Sequence, residues 1–244
     1  MSNSSGRLRP IVIVSVDGNI GSGKSTTGEK YEEYVKNCYQ NRDPSDNAIF
    51  PSIHSIDEIC FLDEPVQQWL KIRDKDGIDI LTNVYKDTRA NAFKFQMMAY
   101  ISRLALLRNA IKNPKIRLII TERSVETDRN VFAKMLYDVG DIAEDEYSIY
   151  TLWYEEFLCD VPLSGIVYVN ASPDVCVARI KQRARPGETI HADYIQRCHE
   201  YHEKWIHQNS CPILTLAAND DVIGTPNLLN DRIERITNFI NTLL

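Results

Sequence analysis

Between Gly18 and Ser25 the chain reads GNIGSGKS, which satisfies G-x-x-x-x-G-K-[ST] at every defined position. The chemistry that this spacing serves is polyphosphate binding. Its glycines let the backbone turn tightly and approach a ligand closely. The segment Gly18, Asn19, Ile20, Gly21, Ser22, Gly23, Lys24, Ser25 and Thr26 is then expected to cradle an anion at a helix N-terminus, where the dipole favours negative charge. Lys24 is placed to reach the β- and γ-phosphates, and the Ser25 hydroxyl to ligate Mg²⁺. A dinucleotide fingerprint is excluded, because Thr26 stands where the last glycine of G-x-G-x-x-G belongs.

A phosphate loop specifies a nucleotide but not a reaction. Glu64 follows a short apolar run, where a phosphoryl acceptor would sit, and a carboxylate there can take the proton of an attacking hydroxyl. Glu122 ends a second run and can hold Mg²⁺ directly or through water. Arg123 beside it can neutralise developing charge. Arg179, Arg183 and Arg185 lead to Pro186-Gly187, a hinge suited to a lid (about 181–191) that closes over a triphosphate and supplies cations. Gln96 and Arg103 lie two helical turns apart with the small Ala99 between them, a polar stripe that suits the floor of a pocket.

Five short apolar runs are expected strands: Ile11–Val16, Glu58–Leu62, Ile116–Ile120, Gly165–Val169 and Pro212–Leu216. Helical segments alternate with them, at about Ser25–Gln40, Val66–Arg73, Asp87–Ile111, Asp128–Asp138, Glu144–Leu158, from Ser172-Pro173 into the arginine segment, His191–Gln208 and Leu228–Leu244. Ser172 is the expected cap of its helix, with Pro173 at the first position. The 87–111 helix is apolar nearly all round, which requires burial on more than one side. Asn41–Ser55 carries two prolines and reads as a loop. The alternation predicts an α/β fold, a doubly wound five-stranded parallel sheet flanked by helices. Ligands of such sheets sit at the carboxyl ends of the strands, where the groups named above converge. Residues 1–10 are expected to be a disordered arm, and 11–244 one domain.

The 244 residues are 43% hydrophobic and 25% charged, which permits a sizeable core. A net charge of −6 argues against non-specific nucleic-acid binding. No apolar run reaches transmembrane length and the N-terminus lacks a signal peptide's apolar core. The six scattered cysteines include no C-x-x-C and suit reduced thiols in the cytosol. His199, His202 and His207 are expected on a solvated helix face rather than around a metal.

Five motifs, in order, resemble the deoxyribonucleoside kinases, P-loop kinases in fold, and span about Val12 to Leu216. Glu64-Pro65-Val66-Gln67-Gln68-Trp69 resembles their E-P-x-x-x-W segment, Glu122-Arg123-Ser124 their E-R-S segment, and Arg179-x-x-x-Arg183-Ala184-Arg185 their lid. Phe95-Gln96 with Ala99-x-x-x-Arg103, and Asp128-Arg129, are similar to the deoxycytidine/deoxyguanosine kinase branch. The resemblance implies transfer of the γ-phosphoryl of ATP to the 5′-hydroxyl of a deoxynucleoside in nucleotide salvage. It makes Glu64 the general base and Arg123 the group that steadies the hydroxyl and phosphoryl. Gln96 would pair with the base edge, with Trp69, Phe95 and Phe132 as stacking walls. Tyr85 and Glu188 would hold the 3′-hydroxyl, and Arg103 would hold Asp128 at the far end of the base pocket. A homodimer through long apolar helices is implied as well. Departures are Asp17, where a Glu is common, a lid shorter by about one residue, and Ala217, where the family carries an acid. A thymidylate-like nucleoside monophosphate kinase is the enzymatic rival, sharing the loop, a D-R pair and a lid. A regulatory GTP-binding switch is disfavoured, since Asn219-Asp220-Asp221 lacks the lysine of N-K-x-D.

Overall fold

The structure, a computed structural model, describes residues 10–41, 48–157, 161–185 and 188–244. All of the expected N-terminal arm except Pro10, part of the 41–55 loop, Leu158 and the Pro186-Gly187 hinge lie outside these residues.

In chain order the elements are β1 (Val12–Asp17), α1 (Lys24–Gln40), a 3₁₀ turn (Ile56–Glu58), β2 (Ile59–Leu62), α2 (Val66–Trp69), α3 (Ile80–Lys86) and α4 (Thr88–Lys112). Then come β3 (Leu118–Glu122), α5 (Val125–Thr127), a π-helical stretch (Asp128–Ala133), α6 (Lys134–Asp138) and α7 (Glu144–Phe157). The chain finishes with β4 (Gly165–Asn170), α8 (Pro173–Arg183), α9 (Ala192–Gln208), β5 (Ile213–Ala217) and α10 (Pro226–Asn241). The five strands form one sheet in the order β2-β3-β1-β4-β5, every neighbouring pair parallel.

β1 is buried along its whole length, as its run of β-branched residues requires. Its side chains alternate between faces. Val12, Val14 and Val16 join Tyr31 and Val35 of α1 and Ile236 and Ile240 of α10. Ile13 joins Tyr100, Leu104 and Leu107 of α4 and Tyr150 and Tyr154 of α7 on the other face. The strands therefore deliver their carboxyl ends to one rim, with helices sealing both sides.

Several segments differ from expectation. The helix after Glu64 is a single turn: α2 stops at Trp69, and Arg73 instead bridges antiparallel to Asp79. Asp74 explains the stop, because its carboxylate accepts from the backbone of Asp76 and Ile78 and so closes a turn. The sequence reading missed α3, whose cap Asp79 accepts from Thr82 N–H at 2.9 Å and whose Leu81 and Val84 are buried. Ser172 makes no side-chain cap bond; instead its N–H donates to Asn219 at 2.8 Å, tying the start of α8 to the end of β5. The helix from Asp128 is wound as a π-helix for its first turn and a half, a widening that occurs mostly at functional sites.

His202 is not on a solvated face. It is fully buried, stacked on Tyr168 and edge-on to Phe132, and its Nδ1–H donates to Cys198 O at 2.7 Å. Only His207 is well exposed among the expected solvated set, at 78% of its side chain. Among the described residues no cluster of His, Cys, Asp and Glu could hold a metal by itself. Burial first, and the Arg123 and Lys24 cations after it, push His202 down to about 3 from 6.5. Folded His202 therefore stays neutral where the unfolded chain's histidine takes a proton. Between about pH 6.5 and pH 3 the unfolded state binds more protons, so stability falls as pH falls. In His202→Phe the slope of unfolding free energy against pH, read by urea denaturation between pH 6 and 5, should be shallower by roughly 1 kcal/mol per pH unit. An unchanged slope would contradict a neutral buried imidazole.

Candidate active site

The phosphate loop leaves β1 at Asp17, which is fully buried and accepts hydrogen bonds from the hydroxyls of Ser15 and Thr127. Burial raises its carboxyl above the usual range, against those two donors. Two loop glycines are required by close approach. A Cβ on Gly18 would lie 2.5 Å from Val169 O, and one on Gly21, at φ +79, would lie 2.6 Å from Cys176 O. Gly23, at φ 94, starts α1 in the left-handed region. Asn19 ties the loop to α9 through Nδ2–H to Ile195 O at 2.9 Å. Ser22 Oγ is buried and has no partner among the described residues.

Lys24, 6% exposed, points its ammonium 3.6 Å from Glu122 Oε1, and the Ser25 hydroxyl donates to the same oxygen at 2.8 Å. Burial, and then Arg123, lower the Lys24 pKa, with Glu122 and Glu64 opposing. β3 thus brings its terminal carboxylate to the loop because Val16 of β1 is in register with Glu122. Thr26 lies one residue further along α1.

Across the crevice runs a chain of ions, all buried except Glu64, which is half-buried. Arg123 Nη1 donates to Glu64 Oε1 at 2.9 Å, and Arg103 Nη2 donates to the same oxygen at 3.1 Å. Arg103 Nε donates to Asp128 Oδ2 at 2.9 Å, and its Nη1 to Glu122 O at 2.5 Å. Arg103 and Asp128 are 2% and 3% exposed. Arg123 adopts φ 60, a conformation disfavoured for a residue with a Cβ, and its backbone N–H is held by Val16 O at 3.1 Å. That twist turns its guanidinium back over the Phe132 ring, 4.8 Å from the centroid, with Nη2 3.3 Å from Gly18 O. Burial works against the Glu64 charge, but Arg123, Arg103 and Lys24 outweigh it and hold the carboxyl down to about 2. Burial raises the Asp128 carboxyl, and Arg103 pulls against that rise.

These groups face a cavity of about 350 Å³. Gln96, Ala99 and Arg103 of α4 line it, the stripe expected from their spacing, as do Trp69, Phe95, Phe132 and Asp128. Trp69 and Phe95 meet edge to face at 5.3 Å, and the indole N–H donates to Ser102 Oγ at 2.9 Å, which fixes the ring. Gln96 is 4% exposed, yet its Oε1 has no partner among the described residues. A buried acceptor left open in the wall of a cavity is a place for a ligand's donor. Ile20, Lys24, Ser25, Glu64, Tyr85, Glu122, Arg123, Arg183, Arg185 and Glu188 line the same cavity. Gly18, Asn19, Gly21, Ser22, Gly23 and Thr26 do not reach it and supply loop backbone beside it.

Arg179 is elsewhere. Its Nη1 donates to Ser22 O and Ala218 O at 3.1 and 2.8 Å, and its Nη2 to Asn219 O and Asp220 O at 3.2 Å. It clasps the phosphate loop to the segment after β5. Arg183 is paired with Glu188. The sequence reading did not include Leu81, Val84 and Thr88, at and just beyond α3, or Tyr194 and Leu136, which also line the cavity. The i, i+3 spacing of Leu81 and Val84 behind Asp79 was the available signal for α3. The half-buried Tyr194 shares a helix face with the buried Cys198 and His202 at i, i+4 spacing.

The model of the deoxynucleoside kinase family matches residues 14–241. The chain is 31% identical over 239 residues to a fowlpox virus protein described as a probable deoxycytidine kinase, covering 94% of this chain and 88% of that one. It is 29% identical to human deoxycytidine kinase over 261 residues, 94% of this chain and 91% of the human one. Against the mitochondrial deoxyguanosine kinase of Xenopus laevis the identity is 28% over 247 residues, 89% and 85% of the two chains. With its parallel five-stranded sheet, its phosphate loop and a match over nearly its whole length, the chain belongs to the deoxynucleoside kinase family of ATP-dependent phosphotransferases.

Proposed function

We propose that this kinase moves the γ-phosphoryl of ATP to the 5′-hydroxyl of deoxycytidine or a purine deoxynucleoside, with thymidine a poor acceptor. The observation that carries the preference is the buried Arg103–Asp128 pair sharing a cavity with the open Gln96 oxygen. Asp128, held by Arg103, accepts from an exocyclic amino group, which cytosine and adenine offer. Thymine presents a carbonyl oxygen there, which a carboxylate repels. A site built to pair a polar group rejects analogues that leave it unpaired. The monophosphate-kinase alternative is disfavoured because Arg103 and Arg123 are already neutralised by Glu64 and Asp128. A phosphorylated acceptor needs cations that are free.

Glu64 is the base in this reading. A carboxyl held near 2 is ionised throughout the physiological range but weakly basic. It orients the 5′-hydroxyl by accepting its hydrogen bond, and takes the proton as the new P–O bond forms. Arg123, 2.9 Å away, steadies the same hydroxyl and the incoming phosphoryl. Lys24, Arg183 and Arg185 supply positive charge to the phosphates. Trp69, Phe95 and Phe132 wall the base, and Tyr85 and Glu188 hold the 3′-hydroxyl. Mg²⁺ fits the paired Ser25 hydroxyl and Glu122 carboxylate, hard oxygen donors 2.8 Å apart that phosphates and water would complete. When bound it neutralises charge on the phosphates.

The unit is a single kinase domain over 11–244 with its lid at about 181–191, acting in the cytosol. The described cysteines are free, and no helix among the described residues is long and apolar enough to cross a membrane. It pairs as a homodimer across α4 and α7, where Ile101, Ile149, Leu152 and Trp153 are 53, 45, 66 and 46% exposed. Exposed apolar side chains on two helices that pack together suit an apolar partner. Leu152→Asp should convert a particle of two chains into one of a single chain by light scattering; a native protein already of one chain would end this proposal.

Glu64→Gln keeps shape but removes the negative charge. The expected result is a kcat lower by roughly 10²–10⁴ with KM little changed. Because the folded Glu64 pKa is depressed, the group stays charged as pH falls, so the native enzyme should show no acid limb from it between pH 8 and 5. A loss confined to KM, or a limb near pH 6 that the Gln variant lacks, would contradict this.

Selectivity is tested by removing both charges at once. Arg103→Met alone leaves Asp128 an orphaned buried ion and should cost about 3–5 kcal/mol of stability. Arg103→Met with Asp128→Ala should be better tolerated and should raise kcat/KM for thymidine relative to deoxycytidine. A native enzyme that already favours thymidine, or an unchanged ratio in the double variant, overturns the assignment.

A further inference from the structure

Arg183, the last residue of α8, and Glu188 form an ion pair. Arg183 Nη2 donates to both Glu188 oxygens, at 2.6 and 2.8 Å. The two ends are unlike: the Glu188 side chain is 2% exposed and that of Arg183 is 38% exposed. Both line the cavity that Lys24 and Tyr85 also line. The cation can therefore swing toward solvent or phosphate, whereas the carboxylate is buried.

We propose that this pair couples the two substrate sites: the donor's γ-phosphate draws Arg183 off Glu188, and the acceptor's 3′-hydroxyl replaces it on the carboxylate. This rests on the reading above, in which Arg183 serves the phosphates and Glu188 the sugar. A triphosphate alone would take Arg183 away and leave a buried carboxylate without its cation, which is strongly unfavourable. An acceptor alone meets a carboxylate that already accepts from a guanidinium at both oxygens, and gains less from it. Only with both bound does every charge have a partner, Arg183 on phosphate and Glu188 on the hydroxyl. Each substrate then tightens the other by the same factor, as linkage requires. The deoxynucleoside is held firmly only when a donor is present to phosphorylate it.

The pair can be tested with ligands that differ at one atom. Deoxycytidine and 2′,3′-dideoxycytidine are titrated calorimetrically into the full chain, without and with a saturating non-hydrolysable ATP analogue and Mg²⁺. The analogue should lower the Kd of deoxycytidine about tenfold, within the usual range of such couplings. The dideoxynucleoside, which offers no hydroxyl to Glu188, should change less than about twofold. In Arg183→Met, again at saturating analogue, the effect on deoxycytidine should vanish. Equal tightening of both nucleosides by the native protein, or coupling that persists in Arg183→Met, overturns the proposal. The native comparison stands even if the variant does not fold. Should neither nucleoside bind with or without the analogue, the deoxynucleoside reading itself fails and takes this inference with it. Binding of both without differential coupling removes the inference alone.

Discussion

Four ions that water would hold more cheaply, the half-buried Glu64 and the buried Arg123, Arg103 and Asp128, lie in series at the carboxyl rim of this sheet. Two positive and two negative charges cancel, and each is tied by at least one hydrogen bond. Such a set is tolerable only while every member is satisfied. It is also geometrically demanding, because it joins the end of β2, the end of β3, the middle of α4 and the π-helical turn. Displacing any of these elements would orphan a buried charge. The rest of the site follows from that constraint. Arg123 accepts a left-handed backbone to reach Glu64, and the π-helical stretch carries both Asp128 and Phe132, the ring that lies under Arg123.

The phosphate loop is fixed by different means. Apart from Lys24 and Ser25 on Glu122, its neighbours hold it through backbone carbonyls: Asn19 on Ile195 O, Arg179 on Ser22 O and on three carbonyls after β5. Gly18 and Gly21 let the strand β4 and helix α8 press directly on it. The loop is thus preorganised before any anion arrives, which spares reorganisation when charge develops. α8 contributes twice, with Arg179 clasping the loop and Arg183, at its end, paired to Glu188.

What the chain discloses by itself follows from where the chemistry is local. The phosphate loop and its flanking strand and helix are contiguous, so spacing alone identifies them, and the five apolar runs identify the parallel sheet. Gln96, Ala99 and Arg103 share a face by helical period, and they do line the cavity. The failures have a common cause, long-range packing. The π-helical winding at Asp128 leaves no mark in residue type. Ser172 has the right identity for a cap, but Asn219, 47 residues on, takes its N–H. His202 sits among polar residues that suggest solvent, yet Phe132 and Tyr168 from other elements enclose it. That Arg179 clasps the loop is likewise not legible, because the carbonyls it binds come from distant segments.

The ion chain makes sense if the acceptor is an uncharged nucleoside that borrows Glu64 and Asp128 without disturbing their cations. The most direct measurement is label transfer from γ-labelled ATP, with Mg²⁺, to each of the four deoxynucleosides and to dCMP and dTMP. The predicted result is label in the 5′-monophosphate of deoxycytidine or of a purine deoxynucleoside, with little from thymidine and none in diphosphates made from dCMP or dTMP. Label appearing chiefly in those diphosphates, or thymidine labelled fastest, would contradict it.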